Sequence, residues 1–185
     1  MIKSIKTTTR GAGKTVTTVY LKGEAQWASV QKPKESFGKK KYSIDIEATE
    51  SDLKTLQGLG LGTRTKLKTD PTSQKTYLTF IKNYSETEDG EPVGLTLIDE
   101  NGKEGYNELV GNGSEVIVKV DMIPYDNAFG KGTAPRLSAV QVLKLVPYKK
   151  KSSVDPEGFE VRKNTASNED DDYPFDRTNS SSVLT

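Results

Sequence analysis

The side chains able to do chemistry in this 185-residue chain are aromatic rings set among lysines. Trp27 is followed by Lys32, Lys34, Phe37 and Lys39, Lys40 and Lys41. Tyr77 lies between Lys75 and Lys82, with Tyr84 just beyond, and Tyr125 and Phe129 precede Lys131 and Arg136. Gripping a single nucleic-acid strand needs this mixture, because cations neutralise phosphates while flat rings stack on bases of any identity, at ~1–3 kcal/mol per base. The competing reading is that the rings are core. Alternation assigns Tyr42 and Phe80 to packing, whereas Tyr77, Tyr125 and Phe129 face outward or lie in loops and are candidate stackers. The residues alone leave Trp27 open between core and surface, and it is carried with the candidates.

Other chemistries are closed off. The chain has no Cys and no His, which removes disulfides, zinc fingers, cysteine nucleophiles and Ser-His-Asp triads. A general base would have to be a carboxylate, Lys or Tyr, and a metal would have to sit on oxygens alone. No signal for such a metal exists, and no cofactor is expected. Acidic residues such as Glu86, Glu88, Asp89, Asp99 and Glu100 lie in polar, Gly-containing turns, and nothing sets two of them at catalytic separation. The run Gly11-Ala-Gly-Lys-Thr15 resembles part of a phosphate-binding loop but fails as one. Thr8 stands where the first Gly belongs, the preceding segment is polar, and a strand-like stretch follows instead of a helix N-terminus.

The net charge of +1 conceals a segregation. Residues 1–82 carry 16 Lys/Arg and 7 Asp/Glu, residues 83–126 carry 2 and 11, residues 127–151 carry 6 and none, and residues 152–185 carry 3 and 8. A near-neutral total is thus compatible with a polyanion partner if the basic segments share a face. No stretch approaches the ~18 apolar residues of a membrane span, and the N-terminus lacks a signal-type apolar run. No membrane association and a cytoplasmic location are expected.

The elements that must position these residues are mostly strands. Residues 1–15 read as a flexible basic arm. Strand texture begins at Val16 and runs to Lys22, continuing from Ala25 to Val30. Lys41–Ile46 alternates, with Tyr42, Ile44 and Ile46 on one face. Ser51–Gln57 is the single helical stretch, capped by Thr49 or Ser51 and closed by Gly58. Strands are expected at Lys75–Asn83, Val93–Ile98, Glu115–Pro124 and Leu137–Val146. In the third of these, Val116, Val118, Val120 and Met122 point inward, and Lys119 and Asp121 point out. Five or six strands and one short helix favour an all-β fold built as a small barrel. From residue 149 the pattern ends, and the Ser-, Asn- and Asp-rich remainder to residue 185 reads as a disordered acidic C-terminal tail. Within it, Glu169–Asp176 packs five acids around Tyr173, Pro174 and Phe175. That segment reads either as a solubilising tail or as a mimic of nucleic acid that competes for a basic groove.

Three tracts carry a family resemblance. Leu95–Lys103 (LTLIDENGK), Val110–Val120 (VGNGSEVIVKV) and Ile123-Pro-Tyr125 resemble the replicative single-stranded DNA-binding proteins of short-tailed, podovirus-type bacteriophages. The match continues through Gly130 and Leu137 to Leu145, and Phe37–Asp45 (FGKKKYSID) is similar to that family's second strand. The resemblance spans residues 16–148. It implies an OB-fold barrel that binds single-stranded DNA in a basic, aromatic-lined groove without catalysis. It further implies an acidic tail that folds back on the groove and contacts replication proteins such as DNA polymerase and primase-helicase. By position, Tyr125 matches a base-stacking Tyr, while Lys119 and Lys39, Lys40 and Lys41 match groove cations. Asp170-Asp171-Asp172-Tyr173-Pro174-Phe175 looks like the acidic tip of bacterial single-stranded DNA-binding proteins. It departs from that pattern in that Asp176–Thr185 follow, so no terminal carboxylate stands beside Phe175.

The expectation is a protein that coats and protects single-stranded DNA during phage DNA replication, recombination or repair in the infected host's cytoplasm. A homodimer is compatible with this reading. The alternatives are an RNA-binding OB-fold protein, or an adaptor without nucleic-acid function that acts through its acidic tail.

Overall fold

A computed structural model describes residues 1–10, 14–62, 65–127 and 130–148. Eight strands and one helix follow in the order β1 (Ile2–Arg10), β2 (Lys14–Ser36), β3 (Lys39–Glu47), α1 (Glu50–Gly58), β4 (Lys68–Thr69), β5 (Thr76–Asn83), β6 (Thr96–Ile98), β7 (Ser114–Asn127) and β8 (Gly130–Lys144). They form one sheet in the order β4-β5-β3-β2-β7-β8-β6, with β1 added on β2. The neighbours from β5 to β8 along this path are antiparallel, so β5 and β8 run the same way. These two strands also meet, and the sheet therefore curls round on itself.

Period-2 patterning explains the curl. Val19 opposes Val120, which opposes Leu137, while Leu21, Val118 and Val140 form the next rung, and all six are fully buried. On the other side Ile44 opposes Phe80 and Ile46 opposes Leu78, again buried. Rows of apolar side chains on one face of β2, β3, β5, β7 and β8 leave a single apolar interior that only a curved sheet can close. The helix α1 lies between β3 and β4 in the chain and adds buried Leu56 to this core.

The helix is set by its cap. The Thr49 hydroxyl accepts from the Asp52 N–H at 3.2 Å, and the Asp52 carboxylate accepts from the Thr49 N–H at 2.9 Å, a reciprocal box that satisfies two orphan donors. Thr49 is thus the N-cap, and the C-cap is Leu59 rather than Gly58. Asp52 also accepts from the Ile2 N–H at 2.8 Å, tying β1 to the helix.

Three expectations need correction. Residues 2–10 are not a flexible arm but strand β1, paired with β2 from Ile2↔Leu21 to Arg10↔Lys14. A polar Lys/Thr strand lacks an apolar stripe, yet the ladder to β2 satisfies its backbone. The strand expected from Val93 is confined to Thr96–Ile98, where it pairs in parallel with β8. Asp121, expected outward, is buried and accepts from the Thr18 hydroxyl at 2.6 Å.

Candidate nucleic-acid interface

β2 changes partners halfway along, and the change builds the first patch. Its residues 17–25 pair with β7, whereas residues 25–36 pair with β3, with register breaks between Gln26 and Ser29 and between Ser29 and Lys34. At the first break Trp27 takes φ +46°, a conformation that bulky L residues avoid at a cost of roughly 1–2 kcal/mol. Its N–H donates to Asn112 Oδ1 at 2.8 Å, which helps hold the bulge. Strain of this kind persists only where surrounding structure enforces it, and it concentrates at functional sites. The bulge leaves the indole half exposed, on the rim of a cleft of about 320 Å³ lined also by Lys32, Lys34, Leu109 and Tyr148.

The second patch continues along the same ribbon. Lys34 opposes Lys41, and Ser36 opposes Lys39. Alternation puts Lys39 and Lys41 on one side of β3 and Lys40 on the other. Like charges directly opposite each other destabilise a ladder, and among the described residues no carboxylate pairs with Lys32, Lys34, Lys39 or Lys41, whereas Lys40 has Glu35 directly across the ladder. An uncompensated cation face of this kind suits a polyanion. On the opposite side Lys40 Nζ lies 5.5 Å above the Tyr84 ring, and Tyr42 stands 6.4 Å from the same ring. The Tyr84 hydroxyl donates to Glu86 Oε1 at 2.7 Å, and this bond raises its pKa above the usual phenol value.

A third patch lies on the β7–β8 hairpin. Tyr125 is exposed and opposes Gly132, where an added Cβ would fall 2.6 Å from the phenol oxygen. Only glycine lets the ring lie down on the neighbouring strand. Lys131 is exposed and paired with Asp126 at 2.9 Å, a surface pair worth ~0–1 kcal/mol that a phosphate could replace. Arg136 is exposed opposite Asp121. Lys119 stands apart, half-buried on the outer face of β7 in a recess shared with Tyr20, Glu104 and Gln141, while Lys6 Nζ lies 5.6 Å over the Tyr20 ring.

Two candidates are misplaced by sequence reasoning. Tyr77 is fully buried, not an exposed stacker. Its ring lies beneath Trp27, with centroids 6.0 Å apart, and its backbone pairs with both β3 and β4. Lys82 is buried as well, on the inward face with Leu78 and Phe80, and its ammonium donates to the Gly94 carbonyl. Desolvation, reinforced by the nearby Arg136 charge, holds its pKa below the usual lysine value. Lys75 is committed too, paired with Glu24 and Glu47. Conversely, Tyr148 lines the Trp27 cleft beside Lys32 and Lys34 without having been a candidate. Phe129 and the tail residues Asp170, Asp171, Asp172, Tyr173, Pro174 and Phe175 lie outside the described residues.

Among the described residues no cluster of three or more His, Cys, Asp or Glu could hold a metal, and no helix is long and apolar enough to cross a membrane.

No family model and no curated protein matches the sequence. Solved structures do match. The fold is similar to that of gp2.5, a single-stranded DNA binding protein encoded by bacteriophage T7, with a TM-score of 0.52 at 18% identity over 83% of this chain and 100% of that one. It is also similar to the C-terminally truncated single-stranded DNA-binding protein from bacteriophage Enc34, with a TM-score of 0.50 at 12% identity over 80% and 99% of the two chains. The likeness is one of fold.

Proposed function

We propose that this chain is a single-stranded DNA-binding protein of phage type that coats and protects exposed strands during replication and recombination. The curled sheet is then an OB-type barrel over residues 16–148, with β2, β3, β5, β7 and β8 as its five strands. One observation carries the reading: a strained, half-exposed Trp27 opens onto the same cleft as Lys32, Lys34 and Tyr148. Rings and cations together on one rim provide stacking and phosphate neutralisation without reading sequence. The fold shared with the phage proteins supports it. Lys39 and Lys41 extend the path along the ribbon, and Tyr125, Lys131 and Arg136 offer a further contact on the β7–β8 hairpin. Binding rather than catalysis is the activity, exercised in the cytoplasm of an infected bacterium.

The acidic tail, with Asp170–Phe175 at its centre, is a partner-binding segment for replication proteins and a competitor for the basic path. A second copy of the chain is the remaining partner, checked by solution mass at working concentration.

The test is binding of a fluorescent dT oligomer against duplex of equal length over a salt series. Tighter binding of the single strand, weakening steeply with salt, is expected. Equal affinity for the two forms, or no salt dependence, would sink the reading. Matched RNA separates DNA from RNA preference. Removing residues 152–185 should tighten binding, and unchanged affinity would reduce the tail to a solubilising role.

A further inference from the structure

The tip of the β2–β3 ribbon carries a feature that the single-strand path leaves unused. Ser36 pairs with Lys39, so Phe37 and Gly38 form a two-residue loop with φ +52° and +70°. Positive φ at both central positions marks a type I′ turn, which favours Asn-Gly, and a phenylalanine in the first place is strained. Packing does not compensate. The Phe37 ring is 102% exposed and meets no other ring among the described residues. The residue thus serves neither the turn nor the core.

Its surroundings point to a ligand. The last β3–β5 ladder pair is Lys41↔Asn83, and beyond it only the Tyr84 N–H reaches the Lys40 carbonyl. The tip of the ribbon therefore extends past the sheet, with Lys34, Lys39 and Lys41 along one side. Trp27 is backed by Tyr77, and Tyr84 by Tyr42 and Lys40, so each of these rings has protein against it. Phe37 has both faces free. Such a ring fits between two layers of bases, as apolar wedges do when they enter a base step. Inside a duplex that insertion costs an unstacking. Where a duplex ends in a single strand, the last base pair already presents an open face and the next base is free to swing. Two phosphate chains converge there and raise the negative charge facing the lysines.

We propose that the Phe37–Gly38 tip binds single-strand–duplex junctions, its ring seated between the terminal base pair and the first unpaired base, with Lys34, Lys39 and Lys41 on the flanking phosphates. The proposal rests on the single-strand reading above, since the strand leaving the junction enters that path.

The experiment uses the full chain and three labelled ligands: a dT oligomer, the same dT tract joined to a duplex, and the duplex alone. The wild type should bind the junction about 5- to 150-fold tighter than the dT tract, the range expected for stacking. Phe37→Asn should abolish that preference while leaving dT affinity unchanged. Its melting temperature should stay equal or rise, because Asn-Gly suits the turn. Phe37→Tyr, which keeps a ring, should retain the preference. Equal wild-type affinity for junction and dT, or a preference that survives Phe37→Asn, would overturn the proposal. Failure of the single-strand reading looks different: the dT tract is not bound whatever residue stands at 37, and the proposal then falls with its premise.

Discussion

The Tyr77 ring stands edge-on to Trp27, with planes at 71° and centroids 6.0 Å apart, and the two residues divide labour between support and contact. Tyr77 is fully buried, while Trp27 above it is half exposed in a strained bulge. An edge-to-face pair is worth ~0.5–1.5 kcal/mol beyond area burial, which helps hold the indole in place.

Trp27→Ala should therefore weaken dT binding about 5- to 150-fold with the fold intact. Since Trp27 is the only tryptophan, its fluorescence should respond directly to single-stranded DNA. Tyr77→Ala should instead cost about 3–5 kcal/mol of stability, as expected for emptying a large aromatic site. An unresponsive tryptophan signal would remove Trp27 from the interface.

The Lys34↔Lys41 opposition makes a second prediction. Replacing Lys39 and Lys41, which share one side of the ribbon, by Ala should reduce the slope of log affinity against log salt by about 1.4, at about 0.7 for each phosphate of a single strand. Stability at low salt should hold or rise, because cross-strand repulsion is relieved. An unchanged slope would exclude the ribbon from the path.

Gly132 and Tyr125 should behave as one unit. A Cβ at 132 would lie 2.6 Å from the Tyr125 oxygen and 2.8 Å from the ring carbon bearing it, so Gly132→Ala must displace the ring. Each of Gly132→Ala and Tyr125→Ala should weaken dT binding, and the double variant should bind no worse than Tyr125→Ala alone. Additive losses would mean that Gly132 acts independently of the ring.

Lys82→Met should leave dT affinity unchanged, since the ammonium is buried against the Gly94 carbonyl. At neutral pH the variant should be at least as stable, because a buried charge disfavoured by desolvation is removed. The depressed pKa places that cost below the folded-state value and lets it fade as pH rises towards the unfolded value of ~10.4, so the advantage of Met should shrink in that window. Loss of binding with the fold intact would return Lys82 to the interface.

Asp52 predicts an acid-side effect. Burial alone would raise its pKa, but hydrogen bonds from the Thr49 and Ile2 N–H groups outweigh that and hold the carboxyl below the ordinary value. The stability it contributes is therefore present above pH ~4 and lost as pH falls through the lower folded-state value. Asp52→Asn should cost about 1–3 kcal/mol at pH 7. In parallel melts the gap to wild type should close under acid, and a gap independent of pH would refute the carboxylate's role.

Much of the fold is written in local pattern. Alternation in Glu115–Met122 placed Val116, Val118, Val120 and Met122 in the core, whereas the N-cap stayed open between Thr49 and Ser51 until the Asp52 contacts fixed it at Thr49. The spacing of Leu78, Phe80 and Lys82 put all three on one face, so the burial of Lys82 was already legible there. Strand β1 was not. Its Lys/Thr sequence has no apolar period, and only the ladder to β2 makes it a strand.

By itself the sequence determined which residue types line each face of a strand and how charge divides along the chain, because both follow from period and composition. Tertiary structure decided which outward residues are exposed. Tyr77 faces outward from β5 but is covered by the Trp27 side chain thrown over it at a β2 bulge. It also joined Lys34 to Lys41 across a hairpin and set Phe37 alone at its tip. Exposure depends on what packs over a face, and that is settled by register and bulges between distant strands, which no single strand encodes.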